Sequence, residues 1–117
     1  MGLGIKMVTI DCSEPRLLAR FWSEALGVSI QDDYGDFVFL ARPTDGGPVI
    51  GLQRVPEARS GKNRIHVDLG GGSRAAEIPR LVGLGATVVA EHELPGLVWT
   101  VLADPEGNEF CVAEHTE

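Results

Sequence analysis

The 117-residue sequence predicts an α+β fold built as two successive βαβββ modules. Three observations lead there. The same order of strand and helix signals occurs twice, and both helical segments end in Leu-Gly, at Leu26-Gly27 and Leu84-Gly85. The spacing agrees as well: Met7 lies 46 residues before Gln53, and His66 lies 45 before Cys111.

Gly4 to Asp11 is short, β-branched and partly alternating, as a strand requires, and it stops at Ser13-Glu14-Pro15. There a helix begins. Ser13 is a suitable cap for free backbone N–H groups and Pro15 suits the first turn. Leu17, Leu18, Phe21, Trp22 and Ala25 then recur at helical spacing, with Arg16, Arg20 and Glu24 on the wet side. Val28–Asp32, Asp36–Ala41 and Val49–Arg54 read as three strands, separated by Tyr34-Gly35 and by the turn-forming run Pro43 to Pro48.

Pro56 to Lys62 is polar and broken by proline and glycine, so it reads as a connection. Arg64–Leu69 is the next predicted strand. The helix Ser73–Leu84 follows, with Ala75, Ile78, Leu81 and Val82 as its apolar side and with Pro79 expected to kink it. Ala86–Ala90, Leu97–Ala103 and Glu109–Glu114 complete the strands, turned by Pro95-Gly96 and by Asp104 to Asn108. The expectation is a single domain, with one module over about 1–56 and the other over about 63–117.

Composition narrows the function classes. With 44% hydrophobic and 23% charged residues the chain reads as an ordinary globular protein. Its net charge of -7 and its lack of a basic run disfavour binding to nucleic acid or to an anionic membrane. No apolar run approaches the roughly 18 residues that cross a bilayer, and no signal-peptide layout is visible, so a cytoplasmic protein is expected. Cys12 and Cys111 are too few for a disulfide framework and lack Cys-x-x-Cys spacing, which makes both free thiols.

Ala19-Arg20-Phe21-Trp22, Leu26-Gly27, the run Asn63 to Asp68, Leu84-Gly85-Ala86 and above all Asp104-Pro105-Glu106-Gly107-Asn108-Glu109-Phe110-Cys111 resemble the vicinal oxygen chelate superfamily. That superfamily includes glyoxalase, bleomycin-resistance proteins, fosfomycin-resistance enzymes and extradiol dioxygenases, and the chain is most similar to its glyoxalase-like branch. The resemblance implies sheets curled into an open barrel around a pocket, the glyoxalase/bleomycin resistance fold, and a homodimer. It also implies metal-ligand positions on the first and fourth strands of each module, which fall here on Met7, Gln53, His66 and Cys111. Only His66 belongs to the usual set of His and Glu, while Met7 is a poor ligand for a hard or borderline metal.

Three readings of these residues are open. A divalent metal such as zinc would use His66 and Cys111, with Gln53 assisting. Without a metal, His66 would serve as acid or base and Cys111 as nucleophile or proton donor. The blander reading makes His66 a pocket or core histidine and Cys111 a small buried hydrophobe. Strand alternation, with the family geometry, points Met7, Thr9, Asp11, His66, Asp68, Trp99 and Val101 toward the pocket. There Trp99 with Phe37 or Phe39 would form an aromatic wall, and Thr9, Asp11, Gln53, His66 and Asp68 polar anchors. Phe21 and Trp22 are assigned to the outer, structural side, and His92 and His115 to solvent.

The expected function is therefore a metal-free, cofactor-free protein that binds a small organic ligand, an aromatic or amphipathic metabolite or antibiotic. The alternative is a lyase, isomerase or dioxygenase of the same superfamily that uses His66, with or without a divalent metal.

Overall fold

A computed structural model describes residues 2–116. The chain divides into two compact units, Met1–Arg59 and Ser60–Glu117, and the boundary falls inside the polar connection.

In the first unit, β1 (Met7–Cys12), β2 (Ile30–Asp33), β3 (Phe37–Leu40) and β4 (Val49–Arg54) form one sheet in the order β1-β4-β3-β2. β1 runs parallel to β4, and the other neighbours are antiparallel. The helix α1 (Pro15–Leu26) supplies the crossover that a parallel pair needs, and it packs on β2, β3 and β4. Leu18, Phe21, Trp22 and Ala25 recur along one stripe of α1 and are buried, as are Val38, Leu40, Ile50 and Leu52 on the alternate positions of β3 and β4. Phe21 and Trp22 meet edge to face at 5.3 Å, which confirms them as structural.

The start of α1 differs from expectation. Glu14, not Ser13, occupies the N-cap position; Pro15 stands in the first turn as anticipated. Leu17 is 57% exposed, because helical spacing puts it in line with Arg20 and Glu24 and not with Leu18. At the other end Gly27 adopts φ 69°, a left-handed conformation that glycine accepts without steric cost, and its N–H donates to the Ser23 carbonyl.

The second unit repeats the plan. β5 (Val67–Leu69), β6 (Thr87–Leu94), β7 (Leu97–Ala103) and β8 (Glu109–His115) form a sheet in the order β5-β8-β7-β6, with β5 parallel to β8. Its helix α2 (Arg74–Leu84) packs on β8 and is capped by Ser73, whose hydroxyl accepts from the Ala76 N–H. The helix runs on through Pro79. The apolar side is thinner than predicted: Leu81 is buried, whereas Val82 is 45% exposed and Ala75 is exposed on the same line of the helix.

Two strand boundaries moved for a reason that matters to the site. β5 is shorter than predicted, because β8 begins at Glu109, only one residue before the partner of Val67, and the parallel ladder ends there. His66 thus precedes the strand and is exposed. β6 runs on past Ala90 to Leu94, since the two-residue Pro95-Gly96 turn pairs Glu91, His92 and Glu93 with β7 despite their polarity. The turn before β8 is held by the buried Asp104. Its carboxylate accepts from the Glu106 and Asn108 backbone N–H groups, both at 2.9 Å, and from Asn108 Nδ2 at 3.0 Å.

Candidate functional site

Each sheet has one face under its helix and one face free of it, and alternation decides which residues go where. On β1 the side chains of Val8, Ile10 and Cys12 share the helix side, so Met7, Thr9 and Asp11 share the free face. The register places Thr9 beside Gly51, and Gly51 beside Phe39. The next row is Asp11, Gln53 and Phe37. The first unit therefore brings together Met7, Thr9, Phe39 and Gln53 as predicted, on a face that also carries Asp11 and Phe37.

Gly51 has a specific use there. A Cβ at this position would stand 3.1 Å from Met7 Sδ and 3.2 Å from Phe39 Cδ1. Its absence lets the thioether and the ring both approach the backbone at this position.

In the second unit the free face carries a row of Asp68, Cys111 and Val101, with Trp99 and His92 in the adjoining row. Trp99 and His92 stack with centroids 5.3 Å apart and rings inclined by 30°. His92 is exposed, as expected, but its stack on Trp99 was missed by sequence reasoning. Pairing across the hairpin was the available signal, since His92 and Trp99 are equidistant from Pro95-Gly96.

Cys111 is buried between its neighbours. Burial pushes its thiol above the ordinary value of 9.0, and the nearby Asp68 charge, a hydrogen bond to that carboxylate and the charge of Glu109 push the same way, with Lys62 opposing. At neutral pH Cys111 is a thiol that donates to Asp68. His66 is outside this row, exposed just before β5, which excludes the core-histidine reading.

The donor set was tested against the divalent metal that the superfamily implies. Met7 offers a thioether, Gln53 a neutral amide and Cys111 a thiol whose ionisation burial disfavours, while His66, the one usual ligand, lies outside the ladder row of Cys111. Among the described residues no three of His, Cys, Asp and Glu gather in a group able to hold a metal ion. These residues do not fit the group, which needs thiolate, imidazole or carboxylate ligands around an open position.

No curated protein matches the sequence. Solved structures match its fold. A glyoxalase/bleomycin resistance protein/dioxygenase family enzyme from Burkholderia phytofirmans PsJN aligns with a TM-score of 0.76 at 20% identity, over 95% of this chain and 98% of that one. A glyoxalase/bleomycin resistance protein/dioxygenase from Nocardioides aligns with a TM-score of 0.78 at 15% identity, over 100% and 86%. Lactoylglutathione lyase from Agrobacterium tumefaciens aligns at 0.69 and 19% identity, over 95% and 92%. The family model of the glyoxalase-like domain matches residues 7–113, from the first residue of β1 into β8. Taken with the paired βαβββ units, that span shows that the chain belongs to the glyoxalase-like domain family of the vicinal oxygen chelate superfamily.

Proposed function

We propose that this protein binds a small, flat organic ligand without a metal, in the manner of a sequestering or metabolite-binding protein. The observation that carries the reading is the Trp99–His92 stack bordering the Asp68–Cys111 pair on one open sheet face. A flat apolar ring gains contact area on the indole, while Asp68 and the His92 imidazole supply directional polar contacts at its edge. The donor chemistry of Met7, Gln53 and Cys111 supports the metal-free part. The reading includes a homodimer, supported by the exposed Leu3, Ile5 and Ile65, which a second copy of the chain would cover.

Native mass spectrometry of protein purified without chelators tests metal, mass and co-purified ligand together. The expected result is a dimer that retains no transition metal after zinc, nickel or manganese is supplied; one metal per chain, lost in His66→Ala, overturns the metal-free reading. Ligands from an aromatic library, followed by tryptophan fluorescence, should lose affinity about tenfold or more in Trp99→Ala and keep it in His66→Ala.

The second reading is an enzyme of the lyase, isomerase or dioxygenase kind, favoured by the exposure of His66 two residues ahead of Asp68. Turnover that disappears in His66→Ala while ligand affinity persists would favour it over sequestration.

A further inference from the structure

The free face of the first unit carries chemistry that an uncharged aromatic ligand does not use. Tyr34, Phe37 and Phe39 cluster there, with Tyr34 and Phe39 centroids 6.0 Å apart at 69° and Phe37 and Phe39 6.1 Å apart at 47°. The rings are tilted against one another and form no single flat platform. Tyr34 is 70% and Phe37 39% exposed.

Asp32 lies directly opposite Phe39 across the β2–β3 ladder, and Asp11 lies in the row of Gln53 and Phe37. Neither carboxylate forms an ion pair among the described residues, whereas Asp33 is bound by Arg16 and Asp36 by Arg54. Arg54, the sole Lys or Arg in β1–β4, shares the register row of Cys12, on the helix side. The face is thus aromatic and anionic, with no basic residue of its four strands to neutralise it.

We propose that Tyr34, Phe37 and Phe39, with Asp32 beside them and Asp11 two strands away on the same face, bind the alkylated ammonium group of a small organic cation. Aromatic faces are negative and attract cations that shed water readily, which methylated ammonium groups do. A divalent metal demands oxygen or nitrogen lone pairs that the rings lack. A neutral ligand would bury Asp32 without a partner, at a desolvation cost that a cation removes. The proposal concerns the first unit's face and goes beyond the ligand-binding reading, which is carried by the second unit's.

The test titrates the full chain with choline and with 3,3-dimethylbutan-1-ol, which has the same shape and no charge, observing the ring resonances of Tyr34, Phe37 and Phe39 by NMR. Choline should saturate the site and the alcohol should bind at least about tenfold more weakly. Asp32→Asn and the exposed-site Phe37→Leu should each weaken choline several-fold, with unchanged circular dichroism showing that the unit is folded. Trp99→Ala should leave choline affinity as it was. Equal binding of the two probes, no binding of either, or choline binding indifferent to both first-unit variants overturns the proposal. Failure here, with Trp99-dependent ligands still bound, leaves the proposed function intact; loss of Trp99-dependent binding with choline still bound overturns that function and not this site.

Discussion

Cys111 illustrates how one side chain acquires its chemistry from its neighbours. The thiol sits between Asp68 on one side and Val101 on the other, out of water and beside a negative charge. Both influences disfavour the thiolate, which is the nucleophilic form. The thiol should therefore alkylate with iodoacetamide at pH 7.5 far more slowly than a free cysteine. Asp68→Asn should speed the reaction without making it fast, because burial is the largest influence and stays in place. Alkylation at the free-cysteine rate in the native protein would contradict this account. The sign for stability follows: with its folded value raised, the thiol contributes stability present below about pH 9, and that contribution is lost as pH climbs through the folded value.

The two helices, alike in sequence pattern, are held very differently. α1 buries Leu18, Ala19, Phe21, Trp22 and Ala25, whereas α2 buries Leu81 alone. Tertiary packing supplies most helix stability, so amides of α2 should exchange faster than those of α1 by hydrogen–deuterium exchange, with matched rates overturning the comparison. What ties α2 down is polar. The Arg74 N–H donates to Glu114 Oε1 at 2.7 Å, and Arg74 Nη1 donates to Glu91 Oε1 and Thr100 Oγ1, both at 2.8 Å. The Asp104 turn is a second such device. Asp104→Ala leaves the Glu106 and Asn108 N–H groups without their acceptor and should lower stability by about 1–3 kcal/mol in urea denaturation. The turn was legible in Asp-Pro-x-Gly-Asn, but the triple acceptance by one buried carboxylate was not.

At the scale of the molecule, the negative balance bears on partners. A net charge of -7 with no basic run predicts passage through heparin or phosphocellulose at low salt, and retention there would contradict the exclusion of polyanionic partners. No helix among the described residues is long and apolar enough to cross a membrane. The free face of the second unit can be read at this scale too. Trp99 and Val101 were recognisable because a strand must alternate, and His92 could have been, because a two-residue turn dictates what lies opposite what. Asp68 beside Cys111 could not, since a parallel ladder joins strands separated by a helix and a hairpin, and no local count sets its register.

The sequence by itself determined the order of elements, the helix stops at Gly27 and Gly85, the hairpin turns and the doubling of the βαβββ plan. These follow from backbone preference and hydrophobic period, which act over a few residues. Only the tertiary structure decided that Leu17 and Val82 face water, that His66 falls just outside its strand, and that Asp32 stands without an ion pair beside three tilted rings. Burial, ladder register and charge pairing depend on which distant segments meet, and that contact is a property of the folded chain.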